Sequence, residues 1–511
     1  MRRSIFCFGL TFLLSFSRVS IGGIPANIDA LVKRAMQTFQ VPGAAVGIVQ
    51  NDSLVFAKGY GTRILGSNLP VDAQTFFAIG SISKSTVAVC LGMLVDEKRL
   101  SLDDPVTNYL PDFQLYDPWV TREITIRDLL THRSGYISES GGTVWYGSDY
   151  DRQTIIHRLR FLKPVSSFRS RYAYQNVMYL VAGEIIPVVT GKSWDDFVRD
   201  RLFRPLVMTT TNTRLQDLAA YQNVAQPHAI INNELRVIPY RNYDNVGPAA
   251  SVNSNIVEMA NYVRFLLNGG RFRNQQLLSP AFARELFTPQ TIVPIREYAP
   301  ELARLKPNFF AYGLGWFLKD YQGYKLVYHT GGLDGMRAMV MLVPERKLGI
   351  IVLSNQEESR FYNAITYTLL DQLLGASNFD WITAFEKDRV RAQIEQQESV
   401  HRRAAERVAN TKPTLALNFY TGKYFDRLYG DILVTVENGH LVLSFTHTPS
   451  FTADLEHWHY DTFRLNWRDV VIPPGFLTFQ INSHGKVCGL QLDQPNLLDV
   501  DFSELEIKRV E

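Results

Sequence analysis

The sequence has few cysteines, little net charge and no long apolar run beyond its N-terminus. Its 511 residues include three cysteines, and 53 Lys and Arg stand against 50 Asp and Glu, a formal charge of +3. So few cysteines exclude a disulfide framework. The near-balance of charge argues against a nucleic-acid partner, which would require a basic stripe. With 46% hydrophobic and 20% charged residues, global disorder is excluded as well.

The excess positive charge lies in the first 23 residues. They contain Arg2, Arg3 and Arg18 and no acid, so without them 50 basic residues balance 50 acidic ones. Two arginines, an apolar run over residues 5–16 and small residues after it match a secretory signal peptide. The run is shorter than the ~20 residues of a bilayer-spanning helix. We therefore expect export to a bacterial periplasm or the extracellular space, with no transmembrane segment after cleavage. An uncleaved leader that holds the protein at the membrane is the alternative.

After the leader, two cysteines remain. Cys90 and Cys488 lie far apart in the sequence, and neither has a neighbouring His or Cys at metal-ligand spacing. We expect two separate buried thiols.

The length predicts at least two domains, because one hydrophobic core stops growing at about 250–300 residues. Strands at both ends of the first part and helices between them predict an α+β fold in which the two ends share one sheet. The predicted strands are 44–50, 54–60, 312–318, 325–329, 337–342 and 349–353, and the predicted helices include 83–97 and 361–374.

The second part of the chain has a different pattern of charged and apolar residues. Residues 381–409 are rich in charge and lack Gly and Pro, which predicts a long solvated helix that serves as a connector. Short strand patterns such as 432–436, 441–445 and 477–481 then alternate with turns and predict a small barrel or sandwich. The predicted division is a leader over 1–23, a first domain over 24–375, a helical linker over 376–413 and a β-domain over 414–511.

Ser81 and Lys84 form the first candidate site. If Ser81 begins a helix, Lys84 lies one turn later on the same face, within reach of the hydroxyl. A lysine amine can then take the serine proton, and the helix N-terminus offers free N–H groups to an oxyanion. A Ser N-cap followed by a surface lysine is the alternative interpretation.

Two further motifs carry polar groups of the same chemistry. Tyr174 and Asn176 precede an apolar helix; a phenolate can act as a base and an amide can hold the lysine and a substrate carbonyl. The alternative is a core tyrosine and an N-cap asparagine. His329, Thr330, Gly331 and Gly332 end a predicted strand, where glycine permits close approach of a substrate. The alternative there is a simple turn.

In this order, the three motifs resemble those of the serine β-lactamase/penicillin-binding-protein superfamily, in its class C β-lactamase-like and esterase- or D-aminopeptidase-like branch. The resemblance covers about residues 30–375. The matching strings are FAIGSISK at 77–84, LDDPV at 102–106, LLTHRSG at 129–135, YQN at 174–176, VVTGK at 188–192, HTGG at 329–332 and LSN at 353–355.

The resemblance implies the role of each residue. Ser81 is acylated, Lys84 and Tyr174 share the general-base work, and Asn176 positions the substrate. The backbone N–H groups of Ser81 and Gly332 form the oxyanion hole. The remaining residues of the third motif line the strand edge of the cleft. No cofactor and no metal is implied.

His329 departs from the pattern of many members, which have Lys there to bind a substrate carboxylate. A histidine is mostly uncharged at pH 7, so we expect inefficient β-lactam hydrolysis.

An exported serine hydrolase acting on a small ester, amide or peptide is the favoured function. A β-lactamase, a penicillin-binding D-Ala carboxypeptidase and a non-catalytic cell-wall or peptide-binding sensor are the alternatives.

His132 would serve a Ser-His-Asp triad, but no G-x-S-x-G motif exists, so we expect a structural histidine.

The C-terminal strings YTGKY at 420–424, YG at 429–430 and LEHWHYDTF at 455–463 resemble a lipocalin-like domain that follows the hydrolase in some members. The resemblance implies that this domain covers the cleft or mediates homo-oligomerisation. His457 and His459 alternate on a predicted strand, but no third metal ligand accompanies them, so we expect no metal there.

Overall fold

The computed structural model describes residues 23–376, 378–494 and 497–510. The predicted leader therefore lies outside the described residues except for Gly23. Among the described residues, no helix has both the length and the hydropathy needed to cross a membrane.

The described residues form thirteen α-helices and twenty-two strands, numbered in chain order. The helices α1–α13 are Ile28–Phe39, Ser83–Asp96, Pro118–Glu123, Ile126–Leu130, Gly142–Trp145, Arg152–Arg158, Asn176–Thr190, Trp194–Val198, Gly247–Ala250, Ile256–Leu267, Pro280–Leu286, Ser359–Leu374 and Trp381–Ala405. The strands β1–β22 are Gly43–Gln50, Ser53–Gly61, Phe77–Ala78, His228–Ile231, Glu234–Val237, Asn253–Ser254, Arg271–Phe272, Gln275–Gln276, Thr291–Ile292, Phe310–Tyr312, Phe317–Tyr321, Tyr324–Leu333, Met336–Val343, Leu348–Ser354, Gly422–Asp426, Gly430–Glu437, His440–Phe445, Thr452–His459, Thr462–Trp467, Gly475–Ile481, Val487–Asp493 and Lys508–Arg509.

An eight-stranded antiparallel sheet forms the centre of the first part. Its strand order is β2-β1-β14-β13-β12-β11-β10-β9, so the N-terminal hairpin pairs with the last strand of this part. Helices α1 and α12 cover one face and α10 packs on the other. Because both faces are covered, β1 and β14 are continuous apolar runs without alternation. The predicted α+β fold is confirmed.

The predicted strand over 312–318 is wrong in its extent. The structure has two antiparallel strands there, Phe310–Tyr312 and Phe317–Tyr321. Gly315 lies between them at φ +78°, a conformation that side-chain-bearing residues rarely adopt. Leu314 and Trp316 are fully buried in this turn. The apolar turn therefore looks in sequence like a continuation of the strand.

The C-terminal part closes into an antiparallel barrel formed by β15–β22, which confirms a barrel rather than a sandwich. Side chains of β15 and β16 alternate between the interior and the outside. The barrel core is continuous with the core of the first part. Arg241 spans the contact, with Nε donating to Asp334 at 2.6 Å and Nη2 donating to Asp469 of the barrel at 2.8 Å.

Helix α13 is only partly the solvated connector that the sequence predicts. Its first turns are buried through Trp381, Ile382, Ala384 and Phe385, which pack with α1 and α12. The indole N–H of Trp381 donates to Asp371 at 2.8 Å. The turns after these are largely exposed. The apolar residues at the start of the helix thus extend the core of the first part.

The structure places the two cysteines and the two strand histidines of the sequence predictions. Cys90 is buried, but Cys488 is exposed, so the expectation of two buried thiols is wrong for Cys488; it lies on the outer face of β21, between two buried residues. A β-bulge separates His457 and His459 on β18. His457 Nε2 donates to the carbonyl of Tyr460, and His459 Nδ1 accepts from the N–H of Val408.

Candidate active site

Ser81 lies in a 3₁₀ turn, Gly80–Ile82, that leads into α2. Gly80 has φ +53°, and a Cβ on it would lie 2.9 Å from the backbone nitrogen of Gly332. A Cβ on Gly331 would lie 1.9 Å from the carbonyl oxygen of Ile79. The turn and β12 therefore meet backbone to backbone, which requires glycine on both sides. This contact brings the first and third sequence motifs together.

Lys84 is fully buried in the first turn of α2, so the interpretation as a surface lysine is wrong. Its Nζ donates to Ser81 Oγ at 3.0 Å, to Asn176 Oδ1 at 2.6 Å and to the carbonyl of Ala249 at 3.0 Å. Burial lowers the pKa of Lys84 to about 7, while the negative charge of Asp499 opposes this shift. Near neutral pH a substantial fraction of the amine is therefore unprotonated. In that form it has two N–H groups instead of three, and its lone pair can accept the serine proton in place of the bond that it donates to Ser81 Oγ.

Tyr174 contacts both of these residues. Its side chain is hydrogen-bonded to Ser81, and Lys84 Nζ lies 4.6 Å from the centre of its ring. Burial raises the pKa of Tyr174 well above its usual value of 10, and the bond to Ser81 opposes that shift only in part. The phenol is neutral in this state, so of the two candidate bases Lys84 is the one ready to accept a proton.

Asn176 is the first residue of α7 and is 2% exposed. The N-cap residue is Gln175, so the interpretation of Asn176 as a helix cap is wrong. The amide oxygen of Asn176 instead holds the Lys84 amine. The second motif thus joins the other two at the nucleophile.

His132 lies behind the tyrosine of the second motif and is fully buried. Its ring centre is 4.4 Å from that of Tyr174 and 4.6 Å from that of Tyr312, and Nδ1 accepts from the N–H of Gln175 at 3.1 Å. Burial and the charge of Lys84 lower the pKa of His132 well below its usual value. His132 is therefore a structural histidine, whose neutral ring accepts a hydrogen bond from the backbone next to Tyr174.

His329 is 1% exposed on β12. Its Nδ1 donates to the carbonyl of Thr330 at 2.7 Å, since a carbonyl can only accept, and its Nε2 therefore accepts from the Tyr312 hydroxyl at 3.0 Å. Burial, together with the charge of Lys84, lowers the pKa of His329 to about 3. The strand edge thus presents a neutral imidazole to the cleft.

These groups open into a cleft of about 800 Å³. Its walls include Ser81, Tyr174 and the third motif, and a set of aromatic side chains extends it further. The aromatic residues are Tyr172, Tyr298, Phe310, Phe317, Tyr328, Tyr362, Tyr367 and Phe385. Lys84 and Asn176 lie behind the nucleophile rather than on the walls.

Asp499 is a site residue that the sequence analysis missed. It belongs to the segment between β21 and β22 of the barrel, yet it lines the same cleft as Ser81. Its side chain is hydrogen-bonded to Asn176, and burial raises the pKa of its carboxyl while the charge of Lys84 lowers it. No local motif marks this aspartate, because only the docking of the barrel brings it to the site.

Glu504 fastens the same segment to the first part of the chain. Its carboxylate accepts from the N–H of Gly141 at 2.7 Å and from the N–H of Thr143 at 3.3 Å. A Cβ on Gly142 would lie 1.9 Å from the carbonyl oxygen of Asp499, so the two backbones touch. The barrel therefore forms one wall of the cleft.

Comparison with known proteins gives relatives over most of the chain. An unguisins hydrolase of Aspergillus campestris is 29% identical over 440 residues, 82% of this chain and 79% of that protein. A second, from Aspergillus violaceofuscus, is 27% identical over 479 residues, covering 86% and 82%. The protein flp of Staphylococcus aureus is 26% identical over 337 residues, covering 64% and 62%.

Solved structures share the fold of most of the chain. The octameric penicillin-binding protein homologue from Pyrococcus abyssi matches with a TM-score of 0.61 at 21% identity, over 94% of this chain and 99% of that one. SurE matches with a TM-score of 0.56 at 18% identity, over 91% and 98%.

Family models divide the chain into two matches. The second, described as Domain of unknown function (DUF3471), covers residues 406–509. The first, described as Beta-lactamase, covers residues 28–375, which is more than half of the sequence and contains all three motifs. The chain belongs to the β-lactamase family, within the β-lactamase/penicillin-binding-protein superfamily.

Proposed function

We propose that this chain is a serine hydrolase that cleaves an ester, amide or peptide bond through an acyl-enzyme on Ser81. The observation that carries the proposal is the buried Lys84 amine, 3.0 Å from Ser81 Oγ and with its pKa lowered to about 7. A serine hydroxyl is a poor nucleophile until a neighbouring base takes its proton. The hydrolase names of the two Aspergillus relatives support the same class of reaction.

In the proposed first half-reaction, Lys84 accepts the Ser81 proton while Oγ attacks the carbonyl carbon. The backbone N–H groups of Ser81 and Gly332 bind the oxyanion that forms. As the tetrahedral intermediate collapses to the acyl-enzyme, Tyr174 gives its hydroxyl proton to the leaving group and receives in its place the proton that Lys84 took from Ser81. In the second half-reaction, Lys84 accepts a proton from the attacking water. That proton returns to Ser81 Oγ as the bond between Oγ and the acyl carbon breaks, which releases the acid and restores Ser81.

We favour esters, amides and peptides over β-lactams because of the charge of the cleft. His329 is neutral, and Asp499 places a carboxyl group beside Lys84. Neither group attracts a substrate carboxylate close to the scissile bond. β-Lactamase or D-Ala carboxypeptidase activity is the alternative within the same family.

The experiment is covalent labelling of Ser81. The full chain is incubated with a fluorophosphonate or with labelled penicillin, and the modified peptide is identified by mass spectrometry. We expect an adduct on Ser81 that Ser81→Ala abolishes without changing the melting temperature. Failure of the folded wild type to form an adduct with any acylating probe would refute a serine mechanism. It would favour the non-catalytic sensor, whose biological activity Ser81→Ala would retain.

A substrate panel then separates the remaining functions. We expect p-nitrophenyl esters or D- and L-amino-acid amides to be turned over faster than nitrocefin. Nitrocefin turnover that rivals the esters would reverse the preference and assign a β-lactamase. Export through the leader and association through the barrel also remain proposals; the contribution of Asp499 to the cleft supports the barrel as its cover.

A further inference from the structure

The cleft continues beyond the nucleophile along a wall of stacked rings. The ring centre of Phe317 is 6.4 Å from that of Tyr174 and 5.4 Å from that of Tyr328, and both pairs are stacked. All three rings line the same cavity as Ser81. They form a continuous apolar path that leads away from the serine.

Lys319 lies at the far end of this path. It is 5% exposed, and its Nζ lies 5.3 Å above the ring of Tyr328 and 5.1 Å above the ring of Tyr367. The lysine lines the cavity, as does Glu297, but the two form no ion pair. Across the described residues, no hydrogen bond and no salt bridge joins the Lys319 ammonium to another group.

Three other cations that are buried or half-buried have polar partners. Arg241 pairs with Asp334, Arg152 pairs with Asp195, and Lys84 donates three hydrogen bonds. Burying a charge is unfavourable unless it is paired, and ring faces offset that cost only in part. Lys319 thus has no anion to pair with its ammonium group. Because the lysine lines the cavity, an anion that enters the cavity can reach it.

We propose that Lys319 is the anion-binding residue of a substrate subsite, and that preferred substrates carry a carboxylate remote from the scissile bond at the end of an apolar chain. This inference rests on the proposed hydrolase function and deepens it. The near end of the cleft contains charges of both signs, since Asp499 and Glu139 line it and interact with each other, and Arg337 lines it beside Gly332. Arg296 on the same wall interacts with Glu139. A carboxylate at the end of an apolar chain, remote from the scissile carbonyl, reaches the Lys319 ammonium along the aromatic wall.

The test compares charged and neutral substrates of matched length. The p-nitrophenyl monoester of suberic acid and its methyl-capped counterpart place the carboxylate on the acyl side. Acetate esters of a 4-(ω-carboxyalkyl)phenol and of its methyl ester place it on the leaving-group side. We expect the wild type to prefer the charged member of one pair by at least about tenfold in kcat/KM, as for a charge-assisted hydrogen bond.

Three variants assign this preference to the lysine. Lys319→Met should abolish it while leaving turnover of the neutral esters, and Lys319→Arg should keep part of it. Lys306→Met is the control, because Lys306 is a nearby exposed cation that does not line the cavity. Lys319→Met should melt no lower than the wild type, since it removes an unpaired buried charge. Lys319→Gln removes the same charge if the methionine variant does not fold.

Two outcomes would overturn the subsite. One is a wild type without preference in either pair. The other is a charge-removing variant that keeps the preference, which together with a lower melting temperature would give Lys319 a structural role. Fluorophosphonate labelling separates this failure from failure of the proposed function. A labelled enzyme that hydrolyses neutral esters without preference contradicts only the subsite, whereas an unlabelled wild type contradicts the hydrolase itself.

Discussion

Burial controls the chemistry of Lys84. The low-polarity surroundings lower the pKa of this amine to about 7, although the charge of Asp499 acts in the other direction. An amine that serves as a general base works in its unprotonated form. The two opposing influences therefore determine the pH at which the proposed enzyme becomes active.

The pH profile tests this balance. We expect kcat/KM for a neutral ester to rise with pH through about 7, as Lys84 loses its proton. Asp499→Asn removes the charge that raises the pKa of Lys84, so the midpoint of the rise should move to lower pH. The control Asp493→Asn changes an exposed barrel carboxylate that pairs with Arg403 and should not move it. A midpoint that moves upward in Asp499→Asn would contradict the assignment of Lys84 as the base.

His329 provides a second test at this scale. Because its pKa is lowered to about 3, the imidazole is uncharged at any working pH. His329→Lys should place a cation at the strand edge and raise the ratio of nitrocefin to p-nitrophenyl acetate turnover by about tenfold. His329→Gln is the neutral control and should leave the ratio unchanged. An unchanged ratio in His329→Lys would show that charge at this position does not set the preference.

At the scale of elements, the contact between the Ser81 turn and β12 depends on glycine. A Cβ on Gly331 would lie 1.9 Å from the backbone oxygen of Ile79, whereas a Cβ on Gly332 would lie 3.4 Å from the guanidinium of Arg337, an ordinary van der Waals distance. Overpacking a rigid contact of this kind costs about 1–3 kcal/mol or more. Gly331 is thus needed to avoid a clash with the backbone, whereas a side chain at Gly332 would contact only another side chain.

Chemical denaturation measures that difference. We expect Gly331→Ala to reduce the free energy of unfolding by about 1–3 kcal/mol. Gly332→Ala should reduce it by clearly less, because the added methyl group would meet its nearest neighbour at van der Waals distance. Equal losses in the two variants would mean that the turn and the strand approach each other less closely than the structure shows.

Periodicity and motif order predicted much of the fold and most of the site. The spacing of apolar residues in the sequence predicted helix α2 and strand β14. The three motifs contain the groups that surround the Ser81 hydroxyl. The turn around Gly315 escaped prediction because its buried neighbours make it as apolar as a strand. Asp499 escaped because its place in the cleft depends on how the barrel docks, and Lys319 because its burial depends on helices distant in sequence.

At the scale of the whole molecule, the two parts of the chain build one cleft. Their cores are continuous, and the segment between β21 and β22 brings Asp499 to the nucleophile. Glu504 holds this segment through the backbone N–H groups of Gly141 and Thr143. Hydrogen bonds to a carboxylate in partly buried surroundings contribute more than exposed ion pairs do. The position of Asp499, and with it the pKa of Lys84, therefore depends on Glu504.

Hydrogen exchange tests this dependence. Glu504→Ala should cost about 1–3 kcal/mol of local stability and speed exchange in peptides from residues 497–507, with little change in β16–β20. It should also lower the midpoint of the pH profile, as Asp499→Asn does. Glu506→Ala is the matched control, because Glu506 lies two residues away and its ion pair with Lys163 is exposed. Equal effects of both variants would show that surface pairing, rather than the Glu504 contact, holds the barrel segment in the cleft.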